Sequence, residues 1–308
     1  MRIERCRMDE AVLAAAREGF AERIQGVCHS MAKAGPIGTH EWGQISKEFL
    51  DYLGALSVVL PDLDAPEVKA VLDHAAEAAA GGVQCSAYFN NTTFFVFLDY
   101  ANFGMRYERE TPEDPDPVSA NQWLDAFCLA ILSERTEWHR EAFVVAREEL
   151  DGEMVGKPNV ELVNGLMAYV LGLTGNEYAD YPPSTEAVVA AIDAALSRVQ
   201  VGESFSDLPH HIALRGLRAL AAGDQEAFNT ELTELLLQYG TVPEPFTEMT
   251  EALVQCGIVP GFFGRPRALL PLVPLALTAL AYRHEGWRLP VETDYLPRTL
   301  ITGCWTAS

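Results

Sequence analysis

The residues that could carry chemistry in this chain are its histidines and a few acidic side chains. His210 and His211 begin a predicted helix, where sequence neighbours point about 100° apart, so the two rings do not converge on one metal ion. Glu137, His139 and Glu141 follow one another at intervals of two residues, which on a helix also separates the side chains. The sequence therefore predicts neither a metal site nor a catalytic group of residues.

Motifs of the common enzyme classes are missing as well. The chain has no glycine-rich nucleotide fingerprint before a helix, no P-loop, no HExxH and no GxSxG. Asp99 and Asp294 could pair as carboxylates, but nothing in the sequence brings them together. Six cysteines are scattered without a close pair, so neither a zinc site nor a disulfide framework is indicated. We expect no cofactor and no enzyme activity.

Composition and charge narrow the class of partner. The 308 residues include 44 acidic and 22 basic side chains, a formal net charge of −22. Nucleic acids and anionic membranes require a basic surface, so both are disfavoured as partners. The N-terminus lacks the apolar stretch of a secretory signal, and we expect a cytoplasmic protein.

Negative charge is concentrated in the middle of the sequence. Residues 108–153 hold 13 acidic and 4 basic side chains, a net −9. The first ten of them, ERETPEDPDP, include three prolines and are predicted to form a solvated loop. This charge is either ordinary solvated surface or a docking site that steers a basic partner. On the second interpretation, the partner-binding residues are Glu108, Glu110, Glu113, Asp114 and Asp116.

Hydrophobic periodicity predicts a chain built mainly of helices. Glycines are expected to end several of them, including the third helix at Gly81-Gly82. Gly223 and Asp224 supply the C-cap and N-cap of a tight αα-hairpin. Apolar stripes at helical spacing predict helices over residues 8–33, 41–59, 65–80, 121–133, 137–150, 159–172, 185–199, 208–222, 225–239 and 244–255.

One segment, 83–109, is instead rich in aromatic and β-branched residues, which predicts a β-hairpin or a small three-stranded insert. A helix through 94–98 is an alternative, because the alternation there is poor. The predicted fold class is mainly α, an irregular α/α helical array with a small β-hairpin insert around residues 83–109. We expect a single domain over 1–308, with 1–116 and 117–308 as sub-regions.

The most apolar segment, Ala268 to Tyr282, predicts a central buried helix. A helix that is apolar on every side has to be surrounded by other elements. It is also shorter than the roughly 20 residues of a bilayer span. Pro271 and Pro274 are compatible with the first turn only, and Gly286 fits the helix end.

The end of the chain, LLPLVPLALTALAYRHEGWRLPVETDYLPRTL, resembles the C-terminal block of the immunity protein 49 family of bacterial polymorphic toxin systems. The segments QWLDAFCLAILSERTEW and LRALAAGDQEAFNTELTEL fit the same family in order, so the resemblance covers about Asn121 to Leu300. The N-terminal third resembles the family only in its predicted helical pattern. The aromatic insert Ser86 to Arg109 and the tail from Gly303 depart from the family pattern. Residues of the shared block are Pro290, Asp294, Tyr295, Leu296 and Pro297.

The resemblance implies a non-enzymatic protein that binds a cognate protein toxin and neutralises it by occlusion, with no catalytic residues to carry over. We expect Tyr295 and Leu296 to pin the terminal segment to the buried helix. The negative charge adds the hypothesis of a basic toxin, such as a nuclease. The alternatives are a helical-repeat scaffold without a toxin partner, and an enzyme with an unrecognised site.

Overall fold

A computed structural model of the chain describes residues 1–34, 37–89, 93–108, 117–148, 150, 155–175, 182–200, 207–240, 265–288 and 291–305. The predicted mainly α class with a small hairpin is confirmed. Within this part, the helices are α1 Glu10–Arg17, α2 Phe20–Ala34, α3 Thr39–Val59, α4 Pro66–Ala87, α5 Ala120–Leu132, α6 Arg140–Glu148, α7 Pro158–Leu171, α8 Thr185–Arg198, α9 Asp207–Ala221, α10 Gln225–Gly240, α11 Leu272–Glu285 and α12 Arg298–Thr302. The strands are β1 Arg2–Ile3, β2 Thr93–Leu98, β3 Phe103–Glu108 and β4 Glu292–Thr293, and 3-10 turns lie at Asp99–Ala101 and Pro266–Leu269.

Paired helices make up most of the array. Helix α3 packs on α4, α4 on α5, and α5 on α11, while α7, α8, α9 and α10 pack in a second group. One continuous cluster of buried apolar side chains runs from Ile3 to Ile301 and joins both groups. The hairpin of β2 and β3 is antiparallel, and β1 pairs in parallel with β4, so the two ends of the chain meet. Among the described residues, no helix is both long and apolar enough to cross a bilayer.

Helix α11 is the predicted central helix. Residues 273–281 are all buried, which confirms that the helix is surrounded on every side. Pro271 is its N-cap residue and Pro274 lies in its first turn, where the missing N–H is harmless. Gly286 ends it in the left-handed conformation, with φ of 69°.

Two predictions about helix boundaries are wrong. The predicted helix over 8–33 is divided into α1 and α2, because Gly19 adopts a φ of +59°. Conversely, α4 continues through Gly81-Gly82 to Ala87. A Cβ on Gly81 would lie 2.8 Å from Cγ1 of Val96 in the hairpin. This glycine therefore permits close packing, rather than ending the helix. The predicted helix 244–255 lies outside the described residues.

Arg283 connects the C-terminal ends of two helices. Its guanidinium donates to the carbonyl oxygens of Ile131 at 3.0 Å and Leu132 at 3.2 Å, at the end of α5. It also donates to Leu300 at 2.8 Å and Ile301 at 2.9 Å, at the end of α12. Helix C-termini leave carbonyl groups without a partner inside the helix, and a single half-buried cation donates to four of them here.

Candidate interaction surface

An aromatic pair stands on the outward side of the hairpin. Side chains alternate across a strand, so Phe95 and Phe97 share one side of β2, where 58% and 41% of their surface is exposed. Their rings stack with centroids 6.0 Å apart. Both lie across Gly104 of β3, where a Cβ would come 2.5 Å from the Phe95 ring. The glycine leaves room for the two rings to lie flat against the strands.

The inward side of the hairpin fixes it to the helices. The hydroxyl of Tyr107 accepts a hydrogen bond from Nε1 of Trp42 at 2.8 Å and donates to the carbonyl of Ile37. Phe94 stacks on Tyr107 at 4.3 Å. At the tip, Tyr100 packs against aromatic rings of α2, α3 and α4. The outward side is therefore presented by a well-packed element.

Of the five acids predicted to bind a partner, Glu108 is the one that the structure describes. Glu108 ends β3, and its carboxylate lies 2.7 Å from Nε of Arg106. Both side chains are exposed on the outward side of the hairpin, opposite Thr93 and Phe95. We call Phe95, Phe97, Arg106 and Glu108 the hairpin face. Outside the described residues lie Glu110, Glu113, Asp114 and Asp116.

Tyr88, just after α4, lies between the hairpin and helix α6. Its ring centroid is 6.0 Å from that of Phe94. Burial raises the pKa of Tyr88, and the carboxylate of Glu141 on α6 raises it further. Glu141 and Glu148 are exposed on α6, and Glu137 is exposed just before it. Negative charge thus extends from the end of β3 to the neighbouring helix.

The described histidines do not come together as a metal site. Nδ1 of His139 lies 3.1 Å from Nε2 of Gln84, and burial, assisted by the positive charge of Arg135, lowers the pKa of His139. His210 and His211 lie on α9. In the described part of the chain, no group of three or more His, Cys, Asp or Glu side chains is arranged to hold a metal ion.

Tyr295, in the C-terminal block, joins three distant parts of the chain. It is fully buried, and its hydroxyl accepts a hydrogen bond from the backbone N of Cys6 at 3.0 Å. The same hydroxyl donates to the carbonyl of Tyr239, at the end of α10, at 3.1 Å. These bonds reach the N-terminal segment and α10, whereas we expected an attachment to α11.

The other residues of the C-terminal block support the same junction. Asp294 lies 3.9 Å from Arg2 at the surface. Leu296 is buried, and Pro297 is the N-cap residue of α12. Pro290 lies outside the described residues. Among the four of these residues that the structure describes, Asp294 is exposed, and the other three are buried and hold the chain ends in place.

Comparison with known proteins bears out the resemblance. A family model described as immunity protein 49 matches residues 61–300. This range begins well before Asn121, and it includes the hairpin, although we expected the aromatic insert to depart from the family pattern. No curated protein and no solved structure matches the chain.

Proposed function

The chain belongs to the immunity protein 49 family, and we propose on this basis that it binds a cognate bacterial toxin and neutralises it without catalysing a reaction. The match over residues 61–300 is the observation that carries the proposal. Neutralisation is by occlusion: the bound protein covers the active site of the toxin and keeps its substrate out.

The hairpin face supports binding by a protein partner. Interfaces owe most of their binding energy to a few well-packed aromatic and arginine side chains. Phe95 and Phe97 are exposed aromatics on an element whose inward side is packed, so little side-chain freedom remains to be lost on binding. An exposed apolar patch with charged residues beside it is typical of an interaction site.

The net negative charge of the chain supports the proposal that the toxin is basic. With a net charge of −22, the chain attracts a positively charged protein and repels other acidic ones. The active-site cleft of a nuclease is basic because it binds phosphate. We propose that the acids from Glu108 to Asp116 occupy the positions where those phosphates would bind, and that they accelerate association through long-range attraction.

Co-expression tests the proposal directly. The open reading frame beside the gene is expressed in a bacterial host, alone and together with this chain, and growth is recorded. We expect growth to stop with the neighbouring frame alone and to recover with both. If the neighbouring product is toxic and the folded chain fails to restore growth, neutralisation of that product is ruled out.

Charge reversal tests the acidic segment. A quadruple variant is expected to slow association with the toxin about tenfold or more, because electrostatic steering is lost. Its substitutions are Glu110→Lys, Glu113→Lys, Asp114→Lys and Asp116→Lys. A matched control reverses four exposed acids elsewhere and changes the net charge equally. If the control variant slows association as much as the segment variant, the net charge of the chain sets the association rate and the acidic segment is not the contact. The control positions are Glu4, Glu18, Glu285 and Glu292.

A further inference from the structure

We propose that Trp138 and the hairpin face form one docking surface, and that its occupant is a basic surface of the toxin. The inference rests on the proposed function, since it assigns the interface of the same complex. It adds a second aromatic anchor that the acidic segment alone does not provide. It also specifies the chemistry of the toxin side, which is cationic side chains around an apolar recess.

Trp138 is unusually exposed for a tryptophan. In the turn between α5 and α6, 73% of its surface is accessible. Tryptophan is enriched at the centres of protein interfaces, since it contributes a large apolar area with few rotatable bonds. The guanidinium of Arg135 lies 4.8 Å from the centroid of its ring. Such a contact holds the ring in one orientation without covering all of it.

Arg135 is itself immobilised by α4. Its Nη2 lies 3.0 Å from a carboxylate oxygen of Asp73, and its Nη1 donates to Glu77. Two charge-assisted bonds from one planar group fix both its position and its plane. Trp138 is therefore held against a fixed partner, and binding costs less conformational entropy than for a freely rotating side chain.

The elements that carry the two anchors both contact α4. Residues of the turn that carries Trp138 contact Glu77 and Gln84, and the inward side of the hairpin contacts Gly81 and Tyr88, the residue after the helix. From the first to the last of these contacts the span along the helix axis is about 16 Å, which is shorter than the roughly 30 Å width of the 800 Å² patch that each partner buries in a standard interface. Three of these positions, Glu77, Gly81 and Gln84, are spaced four and three residues apart on one face of α4, and Tyr88 follows the end of the helix.

The charges around the two anchors favour a cationic occupant. Glu137 and Glu141 are exposed next to Trp138, and Glu108 is exposed on the hairpin face. Glu137 pairs with Arg140 at 3.2 Å and Glu108 with Arg106 at 2.7 Å, so the attraction for a cation rests on Glu141 and on the net charge of −22. An aromatic ring beside carboxylates is an environment suited to a lysine or arginine side chain. An acidic partner, including a second copy of this chain, would be repelled by the same groups.

Binding measurements with three variants test the docking surface. The probe is an inactivated form of the toxin encoded beside the gene, and its Kd is measured with the full-length chain. We expect Trp138→Ala and the double variant Phe95→Ala/Phe97→Ala each to weaken binding about tenfold or more. The matched control Val59→Ala removes an apolar side chain that is 60% exposed at the far end of α3. Its Kd should stay within about twofold of wild type.

The readouts separate failure of the surface from failure of the function. If wild type binds the toxin while both aromatic variants keep its Kd, the docking surface is wrong and the proposed function stands. If the folded wild-type chain does not bind the toxin, both the docking surface and the proposed function are wrong. Circular dichroism and melting temperature confirm that the variants are folded. Sedimentation of the chain alone tests whether a second copy of the chain occupies the surface. If wild type is a dimer and the aromatic variants are monomers, the occupant is a second copy and not the toxin.

Discussion

Gly54 of α3 lies so close to the backbone of Pro266 that a Cβ on the glycine would come 2.0 Å from the Pro266 carbonyl oxygen. Next to this contact, the carboxylate of Asp51 accepts hydrogen bonds from the backbone N and the guanidinium of Arg267, both at 3.0 Å. Asp51 and Arg267 are 216 positions apart in sequence. The 3-10 turn before α11 is thus docked directly on an N-terminal helix.

Gly54→Ala should therefore destabilise the fold by about 2 kcal/mol or more, because backbone atoms on both sides cannot yield without moving a helix. Gly26→Ala on α2 is the matched control, since nothing lies within 4 Å of its Cβ position. The control should gain up to about 1 kcal/mol from helix propensity. Urea denaturation measures both, and equal stabilities would contradict the close contact.

Arg283→Ala should cost about 3 kcal/mol or more, because four buried carbonyl groups lose a charged donor at once. Arg218→Ala is the control: Arg218 pairs with Asp193 at 3.0 Å, but both side chains are largely exposed. An exposed pair contributes about 0–1 kcal/mol. The two free energies of unfolding are compared at neutral pH. A loss for Arg283→Ala no greater than that of the control would show that water replaces the guanidinium.

Tyr295→Phe should lower the free energy of unfolding by about 1–2 kcal/mol, since the backbone N of Cys6 and the carbonyl of Tyr239 lose their shared partner. Toxin binding should not change, because Tyr295 is fully buried. Tyr282→Phe, at a position that is 37% exposed, is the control for removal of a hydroxyl. Reduced toxin affinity with unchanged stability would instead place Tyr295 in the interface.

Glu161 makes stability depend on acid pH. Burial tends to raise the pKa of this carboxyl, but hydrogen bonds from Arg198, Asn164 and the backbone of Gly156 outweigh burial and lower it below its usual 4.5. A carboxyl with a lowered native pKa stabilises the fold above the unfolded pKa, and the effect is lost as pH falls through the native pKa.

Glu161→Gln should consequently cost about 1–3 kcal/mol at pH 7, because the buried carboxylate loses its charge-assisted hydrogen bonds, while Arg198 is 42% exposed and remains hydrated. The difference between variant and wild type should shrink below about pH 4.5 as wild type takes up a proton. Urea denaturation across this range measures it. A difference that stays constant with pH would show that Glu161 has no lowered pKa.

Local patterns were sufficient for most elements. The αα-hairpin at Gly223 and Asp224 forms as predicted, with Gly223 at a φ of +71° and Asp224 accepting a bond from the backbone N of Ala227. The glycines inside α4 led to the wrong prediction that the helix ends there. In sequence, a glycine that ends a helix cannot be told from one that allows a neighbouring element to pack closely. Trp138 was also missed, since nothing in the sequence distinguishes an exposed tryptophan from a buried one such as Trp123.

The sequence by itself determined the helices, the buried position of α11 and the family, because each depends on the composition or spacing of neighbouring residues. The tertiary structure alone decided which distant groups meet, such as Gly54 with Pro266. It also decided the orientation of the hairpin. Both sides of β2 are apolar, so alternation cannot tell them apart. The packing of the inward side, with Val96 against Gly81 and Tyr107 bonded to Trp42, turns Phe95 and Phe97 outward.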